Sequence, residues 1–188
     1  WQVRGPRGRA LPERALLRCR FSLAAFSSAE RRRRPGGDRG SAELGLRLQQ
    51  SLEAAVLTQL FPRSQIDVYV QVLQADGGHS CAGTTAAALA VLDAGIPLRD
   101  LVCSGSAALA EATALADPSG AEEAAAGPGL ALGLLPASGL LALLQLSSPL
   151  PRERLEPLLE AATAGCRALH RALQRELRQR LREAHGDA

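Results

Sequence analysis

Alternating apolar and polar residues between positions 65 and 75 predict a β-strand with one buried face. Ile66, Val68 and Val70 fall on one side of this strand, whereas Tyr69 falls on the other. A period of two is the spacing at which successive side chains point to opposite faces of a sheet. We therefore expect the valine face to pack against a core.

A tight turn and a helix of small residues follow this strand. Asp76, Gly77 and Gly78 end the alternation, and the segment 82–94 combines many alanines with little side-chain bulk. Small residues favour a helix whose backbone can approach a sheet closely. Strand, turn and helix in this order predict an α/β packing unit.

Two other segments have helical periodicity. Apolar residues recur at spacings of three and four over residues 41–60, and again from Pro151 to Leu173. Because proline disrupts a helix interior, we expect the regular part of the second helix to begin near Pro157.

The arginine-rich end of this second helix also contains acidic residues. Glu176, Arg180 and Glu183 follow one another at spacings of four and three. Such pairs typically lie on a solvated helical surface, so they favour a solvated helix end over a nucleic-acid arm.

The segment 124–151 carries no charge and is long enough to span a bilayer as a helix. Turn signals at 127–129 and 136–139 divide it into two short apolar runs, residues 130–135 and 140–146. This pattern predicts a buried β-hairpin, and no membrane association.

Composition indicates a globular protein. The chain has 188 residues, 46% of them hydrophobic, which is enough for one sizeable core. We expect a single domain over residues 1–188, with its core at about 11–148 and a C-terminal helix at about 151–185. All 22 basic residues are arginine and the net charge is only +3, so the position of charge is more informative than its total.

The cysteines and histidines do not form a recognisable motif. No CxxC pair is present, and the three histidines are far apart in the sequence. We therefore predict reduced, buried thiols, no zinc or redox site, and no cofactor. The residues concerned are Cys19, Cys81, Cys103, Cys166, His79, His170 and His185.

A basic loop precedes the first predicted helix. Four consecutive arginines are followed by Pro35, Gly36 and Gly37 and then by a fifth arginine. Charge runs of this kind are often solvated loops, but the arrangement also suits contact with phosphodiester oxygens without base readout. The candidate RNA-binding residues are Arg31, Arg32, Arg33, Arg34 and Arg39.

Several of these segments together resemble the RNase PH family. The resemblance is strongest in the predicted strand, turn and helix, with the sequence RSQIDVYVQVLQADGGHSCAGTTAAALAVLDAGIPLR. It extends over nearly the whole chain, through ALPERALLRC, the basic loop, ALADPSGAEEAAAGP and LLPASG. It implies an α/β (α+β) fold, the RNase PH domain of the ribosomal protein S5 domain 2-like type, with a mixed sheet packed with helices. Because family members have further strands before the position of Trp1, we expect N-terminal strands to be missing.

The resemblance also implies a cellular role. It indicates a ring subunit of the RNA exosome, whose archaeal counterpart carries the phosphorolytic site of the ring. The implied partners are sister RNase PH-like subunits in a six-membered ring, S1/KH cap subunits, an associated ribonuclease and single-stranded RNA. The implied locations are nucleus, nucleolus and cytoplasm. In the family, the loop equivalent to this basic loop faces the central channel of the ring and contacts single-stranded RNA. Family members have two adjacent arginines there; this chain keeps the first as Arg39 and has Gly40 in place of the second.

At two positions of the implied active site, this chain lacks the charged residue that active relatives have. At the positions of Gly78, His79 and Ser80, which follow Gly77, active relatives have Gly, then Thr or Ser, then Arg. In those relatives this segment binds inorganic phosphate. Ser80 thus replaces the phosphate-binding arginine.

The second loss concerns a carboxylate. Active relatives place an acidic residue at Glu123 and an essential aspartate six residues later, where this chain has Gly129. Glu122 and Glu123 remain, but an acidic pair at a helix start more often stabilises the helix dipole. We therefore expect a non-catalytic subunit.

Two alternatives remain open. A phosphate-dependent 3′ to 5′ exoribonuclease would need a displaced site in which Asp117, Glu122 or Glu123 acts and residues 31–34 bind phosphate. An interaction module unrelated to RNA would need the resemblance to be one of fold alone. A hydrolase triad of Asp76, His79 and Ser80 is disfavoured, because so short a turn cannot form the required relay.

Overall fold

The computed structural model describes residues 12–28, 39–111 and 113–186. The strands are β1 (Leu16–Leu23), β2 (Gln65–Val72), β3 (Cys103–Ala110), β4 (Thr113–Ala116), β5 (Gly129–Leu135) and β6 (Leu140–Leu146). The helices are α1 (Arg39–Ala55), α2 (His79–Asp93), α3 (Gly120–Ala125) and α4 (Arg152–Gly186), with a short 3₁₀ turn at Thr58–Leu60.

Strands β1 and β2 form a parallel pair joined through α1. Their register runs from Leu16 opposite Gln65 to Leu23 opposite Val72. As the alternation predicts, Ile66 is buried while Tyr69 is exposed. The alternating pattern extends to residue 75, but β2 ends at Val72 because the next residues lead into the glycine turn.

Helices α1 and α2 lie between this pair and a second sheet. Helix α1 packs on β1 and β6, and α2 packs on β2, β3 and β5. Leu17, Leu48 and Leu52 are almost fully buried at the centre of the first core. Helix α2 begins three residues earlier than its alanine-rich segment, because the turn leads directly into it.

The second sheet is antiparallel, in the order β4-β3-β5-β6, and α4 covers its far face. Leu132, Leu158 and Cys166 are almost fully buried in this second core. Strands β5 and β6 form the predicted hairpin at 130–135 and 140–146. Only β5 is buried: β6 is the edge strand, and Leu140 keeps 63% of its surface exposed, so the prediction of a wholly buried hairpin is wrong.

Helix α4 begins at Arg152, five residues before the predicted start near Pro157. A proline at the sixth helical position removes one backbone hydrogen bond. Burial of Leu158 and Ala162 against the antiparallel sheet offsets that loss. Within the described residues, no helix is both long and apolar enough to cross a membrane.

The cysteines are free thiols, with Cys81, Cys103 and Cys166 buried and Cys19 half-buried. Burial raises the pKa of Cys81 and Cys103 to about 11, and that of Cys19 and Cys166 to about 12. A protonated thiol is a poor nucleophile, so these residues act as small apolar side chains. The predicted α/β fold class, with sheets packed against helices, is confirmed by this architecture.

Close approach of α2 to the first sheet depends on Gly83. A Cβ atom at this position would lie 2.5 Å from Phe21 Cε2 and 3.2 Å from Val70 Cγ1. The Gly83→Ala variant should therefore lose about 1–3 kcal/mol of unfolding free energy in a urea titration.

The matched control is Gly165→Ala in α4, where an added Cβ meets nothing within 4 Å. Both changes gain the same helix propensity, so the control should be neutral or stabilising by up to about 1 kcal/mol. Equal unfolding free energies for the two variants would contradict the tight packing of α2 on the sheet.

Candidate functional site

The turn before α2 fits closely against the loop before α3. Gly77 has a φ of 71° and Gly78 a φ of 51°, values that favour glycine. A Cβ atom on Gly77 would lie 2.4 Å from the carbonyl oxygen of Pro118 and 2.8 Å from the backbone nitrogen of Gly120. No other residue fits there without moving this backbone.

Hydrogen bonds connect the loop before α3 to the turn and to strand β3. The backbone N–H of Gly120 donates to Asp76 Oδ1 at 3.0 Å, and the N–H of Asp117 donates to the carbonyl oxygen of Ser106 at 2.8 Å. Asp117 itself has a φ of 54°. The turn, the end of β4 and strand β3 therefore form one rigid frame around the start of α2.

Glu122 is used to begin α3. Ser119 and Glu122 form a reciprocal capping box, in which the Ser119 N–H and hydroxyl both donate to Glu122 Oε2 at 2.8 Å. The Ser119 N–H and then its hydroxyl stabilise the carboxylate and hold the pKa of Glu122 below its usual value. This carboxylate is occupied with helix capping, which supports the dipole interpretation over catalysis for Glu122.

A cleft of about 340 Å³ opens at the N-terminus of α2, and we call it the α2 cleft. It brings together five of the predicted site residues: Gly78, His79, Ser80, Glu123 and Gly129. Gly77 packs behind the turn, and Glu122 caps α3, so neither lines the cleft. Arg39 is exposed at the start of α1, and Arg31–Arg34 lie outside the described residues.

Four further polar residues line the α2 cleft and were not predicted. They are Arg47 from α1, Ser106 from β3, Gln145 from β6 and Ser147 after it. Serines at alternate positions of the otherwise small and apolar β3 were a usable signal for Ser106. Arg47 had no local signal, because only the packing of α1 against β6 brings it to the cleft.

The chemistry of these added groups is modest. Arg47 is half-buried and forms an ion pair with Glu43, one helical turn earlier. Ser106 Oγ is buried and has no hydrogen-bond partner among the described residues. Besides His79 and Glu123, the cleft thus offers hydroxyls, the Gln145 amide and one cation that is already paired with Glu43.

Gly129, the first residue of β5, lines another part of the cleft. Its N–H donates to Ser147 Oγ at 2.7 Å, and its carbonyl oxygen accepts from the Ser147 N–H at 2.8 Å. A Cβ atom here would meet Ser147 Oγ at 3.5 Å and the Ala107 carbonyl oxygen at 3.7 Å, which are ordinary contacts. The position has room for a side chain, yet it supplies no carboxylate.

The arrangement as a whole can hold an anion weakly at a helix N-terminus. It places no arginine on the turn and no carboxylic acid on the wall formed by Gly129. In the described part of the chain, no group of three or more His, Cys, Asp or Glu side chains is placed to hold a metal ion.

Family models match most of this chain, up to residue 165. The 3′ exoribonuclease family (RNase PH) matches with its domain 1 over residues 2–97 and with its domain 2 over residues 100–165. The chain belongs to the RNase PH family.

Proteins similar in sequence to this chain include exosome components. Exosome complex component RRP41 of Homo sapiens is 60% identical over 183 residues, covering 97% of this chain and 75% of the relative. Exosome complex component Rrp41 of Methanopyrus kandleri is 37% identical, covering 88% of this chain and 69% of the relative.

Solved structures show the same fold. Rrp46 of rice (Oryza sativa) aligns with a TM-score of 0.81 at 19% identity, covering 94% of this chain and 79% of that chain. The Archaeoglobus fulgidus exosome with RNA bound to the active site aligns with a TM-score of 0.75 at 20% identity, covering 92% and 76%.

The frame around the α2 cleft can be tested through Gly77. The Gly77→Ala variant combines a positive φ with a clash against backbone atoms, so it should lose about 2–5 kcal/mol of unfolding free energy. The measurement is a denaturant titration followed by circular dichroism.

Gly139→Ala is the control, because Gly139 has a φ of 72° but nothing within 4 Å of an added Cβ. It should lose only the conformational part, about 1–2 kcal/mol. If both variants lose the same amount, the turn does not fit against the Pro118–Gly120 loop as described.

Proposed function

We propose that this chain is a non-catalytic RNase PH-like ring subunit of the RNA exosome, of the type called exosome component four in animals. Its identity of 60% to the human exosome complex component RRP41 supports membership of the complex. In this role residues 1–188 act as one RNase PH domain that completes the ring. The RNA-processing and RNA-degrading chemistry is supplied by an associated 3′ to 5′ exoribonuclease.

The observation that carries this proposal is the mismatch between a preserved frame and missing charges in the α2 cleft. Ser80 and Gly129 both line the cleft. The family resemblance implies that active relatives have a phosphate-binding arginine at the first position and an aspartate at the second. Removing one such preorganised group typically costs on the order of a hundredfold in rate. Two losses at one site are enough to silence phosphorolysis.

The remaining role is to hold the ring together and guide RNA. Arg39 is exposed at the start of α1, where its guanidinium is free to contact a phosphodiester. Arg31–Arg34 precede it in the sequence and extend the same basic segment. The partners in this role are sister ring subunits, S1/KH cap subunits, the ribonuclease and single-stranded RNA, in the nucleus, nucleolus and cytoplasm.

One observation favours the second candidate, a phosphate-dependent exoribonuclease with a displaced site. Arg47 and Glu123 face the same cleft, so a cation and a carboxylate are both available there. Glu43 already pairs with Arg47, however, which reduces the positive field that an incoming phosphate would meet. The non-catalytic role is therefore the better supported of the two.

Assembly and product analysis separate these functions. The full chain is assembled with its sister subunits and incubated with single-stranded RNA and inorganic phosphate. We expect RNA binding without release of nucleoside diphosphates. Phosphate-dependent release that is abolished by Glu123→Gln would establish the displaced active site instead.

A restored site provides the positive control. The double variant Ser80→Arg with Gly129→Asp replaces both missing groups, and the space at Gly129 accepts a side chain. We expect this variant to release nucleoside diphosphates at a rate at least tenfold above the unmodified chain. Ser80→Arg with Gly129→Asn has almost the same shape but lacks the acid, so it should remain inactive.

A further inference from the structure

Five arginines on α4 lie along one face of the helix, and we call them the arginine row. At 100° per residue they occupy a band about 80° wide and about 22 Å long. All five are exposed. The arginine row consists of Arg167, Arg171, Arg175, Arg178 and Arg182.

The acidic residues of this segment do not neutralise the row. Glu176 and Glu183 lie about 130° around the helix from its middle. Glu183 accepts a hydrogen bond from Gln179 Nε2 at 2.9 Å. Among the described residues the ion pair is Arg47 with Glu43, so no arginine of the row is paired with an acid. The helix therefore separates charges that the linear sequence suggests are mixed.

The row has no structural explanation within the chain. Like charges at spacings of three and four destabilise a helix, and favourable interaction with the helix dipole is limited to the last turn. The row begins at Arg167, several turns before the helix ends at Gly186. It also faces away from the core formed by Leu158, Ala162 and Cys166.

The surface between the arginines indicates the kind of ligand. Ala168 and Gln174 line a shallow groove together with Arg171, Arg175 and Arg178. Protein interfaces usually depend on an anchor side chain, aromatic or arginine, held in a well-packed pocket, whereas this groove has no aromatic residue and its arginines are exposed. A narrow line of guanidinium groups with a neighbouring amide instead matches a flexible chain of phosphates, which arginine binds bidentately.

We propose that the arginine row is a second RNA-binding surface, which contacts the phosphodiester backbone of single-stranded RNA outside the channel. This proposal goes beyond the channel contact assigned to Arg39, and it rests on the proposed function only for the choice of RNA as the polyanion. The row would increase the length of RNA bound by each subunit without adding base specificity.

The test compares two triple variants of the full chain that lose the same charge from the same helix. Arg171→Ala, Arg175→Ala and Arg178→Ala remove the centre of the row, whereas Arg152→Ala, Arg154→Ala and Arg180→Ala are the control. Alanine favours helix, and circular dichroism checks that both variants retain it.

Binding of a fluorescent single-stranded oligouridylate is measured over a series of salt concentrations. At about 0.1 M salt, the RNA affinity of the row variant should be lower by a factor of roughly ten or more. The slope of log affinity against log salt concentration should fall in magnitude by about 2, which is about 0.7 for each lost phosphate contact. The control should change the slope by less than half as much. Equal effects of the two variants would overturn the proposal.

Two further arms separate the possible outcomes. If Arg39→Ala weakens RNA binding and the row variant does not, the row proposal is wrong and the channel contact of Arg39 is supported. The reverse result supports the row proposal and contradicts the channel contact of Arg39. Oligoglutamate of matched charge tests an acidic protein partner. Tighter binding of oligoglutamate than of RNA, lost in the row variant, would assign the row to a protein and overturn the RNA proposal.

Discussion

The close contact between the Gly77–Gly78 turn and the Pro118–Gly120 loop is the constraint on which the site depends. It joins the start of α2 to the segment between β4 and α3, and therefore joins the parallel pair to the antiparallel sheet. Asp76 strengthens the contact by accepting a hydrogen bond from Gly120. Because Gly77 meets only backbone atoms of the loop, this contact shapes the α2 cleft whatever side chains line it.

This separation of frame and chemistry would allow a subunit to keep its fold without the reaction, as the proposed function requires. The frame needs glycine at the turn and small residues where α2 approaches the sheet. The proposed loss of chemistry concerns Ser80 and Gly129, and neither takes part in the contact between Gly77 and the Pro118–Gly120 loop. In the proposed role, the cleft persists because the frame that shapes it does not depend on the two charges.

Local patterns predicted the elements of this fold well. The alternation in β2, the glycine turn and the hairpin at 130–146 are determined by residues close in sequence, so they could be predicted. The start of α4 was misplaced because tertiary burial of Leu158 outweighs the local effect of Pro157. Arg47 in the cleft and the separation of the row from Glu176 arise only from three-dimensional packing or helical geometry, which linear spacing does not show.

The proposed loss of the phosphate site is tested most directly by the affinity of the full chain for inorganic phosphate, measured by isothermal titration calorimetry. We predict a Kd weaker than about 1 mM for the unmodified chain, tightened about tenfold or more by Ser80→Arg but not by the neutral Ser80→Gln. Submillimolar binding by the unmodified chain, lost in Arg47→Gln, would contradict it. That result would mean that Arg47 had taken over the role of the missing arginine.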